Sequence, residues 1–433
     1  MKKTEKKEPI ILPSAENILD FIKPKSNIFV SSCCAEPQLS VDFLVKNKSE
    51  LPEGIKLFSV IIGSRDILCE VATDSPAQFI AITSSRKASN LIYEGKADYL
   101  PTSIWQLSKW INEEVIPVDI AIIQASPPNS EGLCSLGISV DFMLEAVKKA
   151  EIVIAEINEN MPQTAGDNSI NWFDIDFVLN CNYPLLEIPI SSTLKSAMLD
   201  VIASYVAELI PNGATIEIGP GALAGAILRK LVDKKDLGVH SGMLTDSIIP
   251  LIEKGIINNR LKNVKKGKTV ATQLIGTKNF YNYASNNKNI EIHPCTFTHN
   301  PAILGKIHNF RAINFALEID LLGQVNVDTI PTSGLQVGGV GGLLDFAVGA
   351  LMSPSGSTIF AFPSTAGEGK VSCIVAHLSE RSVASIPATL VDYVVTEYGT
   401  AKISGKSRKE RAEALIKIAH PNFREKLERS FIN

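Results

Sequence analysis

Residues 118–126, VDIAIIQAS, run apolar or small from Ile120 to Ala125, with Gln124 the one polar interruption. A run of strand length that is apolar at successive rather than alternate positions fits a strand covered on both faces. Similar runs recur at 26–32 (SNIFVSS), 56–64 (KLFSVIIGS), 79–85 (FIAITSS) and 151–158 (EIVIAEIN). Between them lie stretches of helical period: 37–51 (PQLSVDFLVKNKSEL), 103–114 (SIWQLSKWINEE) and 139–150 (SVDFMLEAVKKA). Doubly buried strands separated by helices predict an α/β architecture with mainly parallel sheets.

A chain of 433 residues exceeds what one core usually organises, so two domains are expected. Residues 209–231 (LIPNGATIEIGPGALAGAILRKL) lie over 21–44 (FIKPKSNIFVSSCCAEPQLSVDFL), with Ile28 on Ile216, Val30 on Ile218 and Leu39 on Ile227. Both read as a strand, a small-residue loop and an amphipathic helix. The expectation is two similar open α/β domains, 1–206 and 207–433, facing each other across a ligand cleft. A net charge of −4 argues against nucleic acid or an anionic membrane surface as partner. No segment has the uninterrupted apolar length of a membrane span, and the lysine-bearing N-terminus has only Ile10–Pro13 where an export signal needs a longer core. Seven scattered cysteines, including the pair Cys33–Cys34, suit free thiols in a reducing compartment, here the cytoplasm.

Several patterns invite chemistry. After the strand TIEI, Gly219, Pro220 and Gly221 lead into a helix containing Ala224 and Gly225. This nearly matches a dinucleotide fingerprint, but the next strand, DLGVHSG, ends in His240 and Ser241 instead of the acid that holds a ribose. The stretch 334–346 (GLQVGGVGGLLDF) carries Gly334, Gly338, Gly339, Gly341 and Gly342. Such density fits a loop pressed against a ligand or a close-packed turn, and no GKS or GKT follows it. His293, Cys295, His299 and His308 match no standard zinc spacing, so no metal is expected. No G-x-S-x-G elbow exists, and nothing places a histidine beside Cys134. Finally, 313–328 (INFALEIDLLGQVNVD) alternates like one strand with a buried face, its polar face carrying Asn314, Glu318, Asp320, Gln324 and Asn326. That face is either solvated or lines a cleft.

Taken together, the motifs resemble the acetyl-CoA hydrolase/transferase family, the class I CoA-transferases. The resemblance rests on DIAIIQASPPNSEGLCSLGISVDF (119–142), AEINENMPQTAGDNSINWFDID (155–176), DLGVHSGMLTDSIIPLIEKGIINN (236–259), EIDLLGQVN (318–326) and DYVVTEYGTAKISGKSRKERAEALIKIAHPNFREKL (392–427), in family order. It implies that Glu318 of E-x-D-x-x-G-Q-V is the nucleophile, with Asp320, Gly323 and Gln324 completing the motif. It implies CoA and substrate contacts from Gly338, Gly339, Gly341 and Gly342, from Pro294, Cys295 and Thr296, and from Gly219 and Gly221. Oxyanion donors are expected around Gly339, Gly341 and Gly342 and around Pro294 and Cys295. CoA is then a substrate, with no tightly bound cofactor, and the partners are an acyl-CoA and a small carboxylic acid. A homodimer is suggested only by the apolar C-terminal helices.

Departures from the pattern are Leu343 in place of a glutamine, Asn171 in place of a histidine, Gly242 where HTEM has an acid, and an exchanged His299–Asn300 in PCTFTHNP. They bear on the acyl or acceptor pocket more than on the nucleophile. Beside CoA transfer stand an acyl-CoA hydrolase using the same glutamate and a CoA-ester-binding protein without turnover.

Overall fold

The computed structural model describes residues 7–60, 65–189 and 196–432. The end of the strand expected at 56–64 and the first lysines of the N-terminus lie outside them. The described chain divides into two compact units, one of residues 1–189 with 270–298 and one of 190–269 with 299–433. The expected junction between 206 and 207 falls inside a helix, Ala197–Glu208, which belongs to the second unit. Among the described residues no helix is long and apolar enough to cross a membrane.

The first unit is built on strands β1 (Ile10–Ile11), β2 (Asn27–Val30), β3 (Lys56–Val60), β4 (Gln78–Thr83), β5 (Asp98–Tyr99), β6 (Ile120–Ala125), β7 (Ile152–Asn158) and β8 (Phe177–Cys181). Their order is β1-β8-β7-β6-β2-β3-β4-β5, and each pair is parallel. Every residue of β6 is buried, as its unbroken apolar run requires. Ile28, Val30, Leu57, Phe79, Ile122 and Ile154 share one core with Val41 and Leu44 from the helix Gln38–Lys46. Each such side chain contributes roughly 1.5–3 kcal/mol by leaving water. That helix begins after Pro37, which cannot cap it. The buried Glu156 of β7 caps it instead, accepting from Ser40 N at 2.6 Å and Leu39 N at 3.2 Å.

The helix expected over 139–150 is shorter, Met143–Lys149, because Asp141 adopts φ 47°, outside the helical range. Asp141 serves another purpose. It holds the segment 270–298, which lies within the expected second domain 207–433, onto the first unit. Its N–H donates to Thr272 Oγ1 at 2.9 Å and its carbonyl accepts from Cys295 N at 2.9 Å. Val140 N donates to Thr272 O at 3.0 Å, and Leu274 N to Ile138 O at 2.7 Å. Farther along, Ile292 N reaches Ala165 O at 2.7 Å beside Gly166. There φ is 113° and a Cβ would stand 2.2 Å from Ile292 O, so only glycine fits.

The second unit holds β9 (Thr215–Ile218), β10 (Gly238–Val239), β11 (Phe310–Asn314), β12 (Glu318–Asp320), β13 (Val325–Asn326), β14 (Ser357–Ala361), β15 (Ile374–Val375), β16 (Tyr393–Thr396) and β17 (Gly399–Lys402). Its sheet runs β10-β9-β11-β14-β16-β17, parallel except for the final antiparallel pair. A second, three-stranded sheet is β13-β12-β15, with Glu318 opposite Asn326 and Ile319 opposite Ile374. The single strand read across 313–328 is therefore the end of β11 in one sheet followed by the β12–β13 hairpin in another. The alternation conceals the break, where Leu317 is 37% exposed while Ile313 and Ile319 are fully buried. Both units are mixed α/β with mainly parallel sheets, as expected.

The Asp141 carboxyl accepts from Ser32 Oγ at 2.6 Å, from the Gln273 amide and from the Cys295 thiol at 3.7 Å. Burial pushes its pKa up from 3.8 to about 6, against those donors. A raised acid binds its proton more tightly when folded, so this stabilisation is present below 3.8 and lost as pH rises to about 6. The wild type is expected to lose stability relative to Asp141→Asn by on the order of 3 kcal/mol across that window. Urea unfolding of both proteins as a function of pH checks this, and parallel pH profiles would refute it.

Candidate active site

Glu318 and Asp320 project from the same face of β12, and both are buried, at 2% and 1% exposure. The face is therefore not solvated, and each carboxylate needs donors. Asp320 takes three of its four donors from the backbone. Oδ1 accepts from Leu322 N at 3.0 Å, Gly323 N at 2.9 Å and Gln324 N at 2.9 Å, while Oδ2 accepts from Gln324 Nε2 at 2.7 Å. This closes the hairpin between β12 and β13. Gly323 sits in it at φ 96°, where a Cβ would meet Ile403 Cδ1 at 2.8 Å. Arg411 fastens the turn from outside, donating to Leu322 O at 3.1 Å and Ala388 O at 2.8 Å. Asp320, Gly323 and Gln324 thus build the turn that follows the candidate nucleophile.

Glu318 takes its donors from side chains. Oε1 accepts from Ser382 Oγ and from Asn326 Nδ2 at 3.3 Å, and Oε2 accepts from Ser379 Oγ at 3.4 Å. Asn326 is its ladder partner, fully buried, with an orientation set by the backbone. Its Oδ1 accepts from Asp328 N and Thr329 N, both at 3.1 Å, and its Nδ2 also donates to Thr329 O at 2.8 Å. The two serines lie in the segment after β15, in a turn closed by Ser382 N–H to Ser379 O at 2.9 Å. The neighbouring Cys373 is no rival nucleophile, because burial and then the Glu318 charge push its thiol up to about 12.

The glycine-dense stretch starts from the same place. Thr329, which pairs with Gln336 and accepts from Val383 N at 3.2 Å, ties its base to Asn326 and to the serine segment. Gly338 passes so close to Val327 that a Cβ would lie 3.1 Å from its carbonyl oxygen. Gly341 has φ 53°. Gly339 and Gly341 are half-buried. Gly342 precedes the helix Leu343–Met352 and is held by packing: a Cβ there would stand 2.4 Å from the His299 ring and 2.9 Å from Phe346. His299 is buried, which lowers its pKa to about 3, so it is a neutral packing group. The exchanged pair thereby finds a reason, since Asn300 caps the helix Pro301–Leu304 through Ala302 N at 3.0 Å while His299 fills the space beneath Gly342. Gly242 touches the same ring, with a Cβ position 3.0 Å from His299 Nε2. Leu343 packs on the core of Ile319, Phe360 and Val394.

Other expected residues lie elsewhere. Gly219 and Gly221 link β9 to the helix Ala222–Lys230, with Gly221 at φ 127° and Phe315 beside Gly219. Pro294, Cys295 and Thr296 belong to the first unit, whereas Glu318 and the glycines belong to the second. Pro294 has no N–H, and the Cys295 N–H donates to the Asp141 carbonyl at 2.9 Å. Thr296 Oγ1 donates to Glu145 at 2.8 Å. His293 is held between Asp167 and Glu291, at 3.0 and 2.9 Å. Asn171 caps a single turn at Trp172–Asp174. Burial pushes the Cys134 thiol up to about 12. Ser379 and Ser382 carry no signal in the sequence, because SERSVAS reads as an ordinary polar loop.

Residues 2–186 match the acetyl-CoA hydrolase/transferase N-terminal domain, and residues 276–431 match the C-terminal domain of the same family. The chain is 38% identical to 4-hydroxybutyrate coenzyme A transferase of Clostridium kluyveri, over 97% of each chain. The chain belongs to the acetyl-CoA hydrolase/transferase family. It is also 34% identical to succinyl-CoA:cyclohexane-1-carboxylate CoA transferase of Geobacter metallireducens, over 90% of this chain and 88% of that one. Among solved structures, 4-hydroxybutyrate CoA-transferase from Porphyromonas gingivalis superposes with a TM-score of 0.79 at 31% identity, covering 98% of this chain and 97% of that one. The protein is thus an enzyme of the CoA-transferase type.

The two carboxylates predict different responses to mutation. Asp320→Ala leaves three N–H groups of a tight turn without their acceptor and is expected to cost roughly 2–4 kcal/mol of stability. Glu318→Gln keeps volume and most donors and is expected to cost less than about 1 kcal/mol. Denaturant midpoints of the two variants decide, and equal losses would contradict the division of roles.

Proposed function

We propose that this enzyme moves CoA between an acyl-CoA and a free carboxylate by ping-pong catalysis through a glutamyl-CoA thioester on Glu318. The observation that carries the reading is the state of Glu318: a buried carboxylate at the motif position, held by three side-chain donors instead of backbone. A thioester's thiolate leaving group has a pKa of roughly 8.5, so a positioned carboxylate can expel it. Attack gives a mixed anhydride. The released thiolate then attacks the Glu318 carbonyl to give the thioester and free the first acid. An incoming carboxylate reverses both steps and leaves as the new acyl-CoA. Because donor and acceptor are both carboxylic acids of similar basicity, the exchange is nearly balanced.

The acyl oxyanion requires fixed donors, and we assign these to the amides of the stretch Gly338–Gly342. Gly219 and Gly221, at the start of a helix whose first N–H groups favour anions, are assigned to CoA phosphates. Pro294 and Thr296 are assigned to substrate contact through surface alone. CoA enters as substrate, and no resident cofactor takes part in these steps.

Incubation with an acyl-CoA followed by borohydride, which reduces a glutamyl thioester to the alcohol, is expected to abolish activity with the reduction mapped to Glu318. Acetate, butyrate and 4-hydroxybutyrate supplied in turn as acceptors are expected to yield new CoA esters. Release of CoA without a new ester would assign hydrolysis instead. Glu318→Gln is expected to bind acyl-CoA while exchange falls on the order of 10³-fold or more. Near-normal turnover in that variant would reject the nucleophile.

A further inference from the structure

Glu318 is not held symmetrically. Oε1 carries two donors, Ser382 Oγ and Asn326 Nδ2, whereas Oε2 carries one long contact at 3.4 Å from Ser379. The two donors on Oε1 also touch each other, Asn326 Nδ2 lying 3.3 Å from Ser382 Oγ. Asn326 cannot turn away without releasing the N–H groups of Asp328 and Thr329 and the carbonyl of Thr329. Ser382 is braced on the same group, because the next residue, Val383, donates its N–H to Thr329 Oγ1. The less-held oxygen is free to attack, and the held one stays behind.

From this asymmetry we infer that Ser382 and Asn326 are the oxyanion donors for reaction at the Glu318 carbonyl itself, a site separate from the one that serves the acyl carbonyl. The inference rests on the covalent reading above. In the first step Oε2 attacks the thioester carbon, the C–S bond breaks and CoA leaves as thiolate. In the second step the thiolate attacks Cδ of Glu318. The C–S bond forms, and the electron pair of the Cδ=Oε1 bond moves onto Oε1, which faces the Ser382 hydroxyl and the Asn326 amide. Collapse restores that double bond, breaks Cδ–Oε2 and releases the first acid as its carboxylate. The incoming acid later attacks Cδ through the same oxyanion. Both donors are already in place in the resting enzyme, so neither must reorganise as charge develops. Ser379, on the departing oxygen, contributes only to the starting position.

The test is quenched-flow borohydride trapping of the Glu318 thioester after mixing with acetyl-CoA. It compares wild type, Ser382→Ala, Ser382→Thr and Ser379→Ala, with steady-state exchange measured beside it. Ser382→Ala is expected to form the thioester about 10²-fold more slowly, with kcat falling in proportion and the acyl-CoA KM within about twofold of wild type. Ser382→Thr, which keeps the hydroxyl, is expected to recover most of the rate, and Ser379→Ala to lose less than about threefold. If Ser382→Ala does not fold, Ser382→Cys, with its weaker donor, takes its place. A Ser382 variant that forms the thioester at the wild-type rate, or a Ser379→Ala defect as large as that of Ser382→Ala, overturns the assignment and leaves the nucleophile standing. No trapped thioester in the wild type overturns the covalent reading, and this inference with it.

Discussion

A carboxyl group shut away from water must be given hydrogen-bond partners, because burying a polar group without them is costly. The second unit meets that demand twice within three residues, in opposite ways. Asp320 is surrounded by main-chain N–H groups that cannot leave without unmaking the hairpin. Glu318 is surrounded by side chains of Ser379, Ser382 and Asn326, the first two in a half-exposed segment remote in sequence. Backbone donors make a structural carboxylate; side-chain donors leave one available for chemistry. The antiparallel pairing of Glu318 with Asn326 and the parallel pairing of Ile319 with Ile374 put those side chains there.

Much of this was legible from residues alone. The strands of the first sheet could be read because a parallel sheet covered on both faces leaves runs such as IAIIQA, for which few other environments exist. The hairpin after Glu318 was legible through its motif, since E-x-D-x-x-G-Q-V contains Asp320, Gly323 and Gln324, which close it. The break between β11 and β12 was not legible, because alternation survives a change of sheet and Leu317 keeps the period while pointing to water. The helix at 139–150 was overestimated for a related reason: its period is helical, but Asp141 is held at positive φ by Thr272 and Cys295, which are remote in sequence.

Two further features needed the folded chain. Local pattern carries no record of which core a strand joins, so the return of 270–298 to the first unit was invisible until the hydrogen bonds of Val140, Asp141 and Thr272 were seen. The glycines of 334–342 had two explanations in the sequence, and close packing accounts for at least part of the stretch. Gly342 is required by the His299 ring, Gly338 is crowded by the Val327 carbonyl, and Gly341 has a φ of 53°. Ser382 had no signal at all, because a serine in a polar loop gains meaning only from the carboxylate it meets.

In the proposed chemistry the Glu318 carboxylate becomes the covalent carrier of CoA while its neighbour Asp320 remains part of the hairpin. A crystal structure of the enzyme mixed with acetyl-CoA and no acceptor acid distinguishes the two carboxylates. Continuous density from Glu318 Cδ to the CoA sulfur is expected, with the Asp320 hairpin unchanged. Intact acetyl-CoA beside an unmodified Glu318, or a CoA adduct on any other residue, would contradict it.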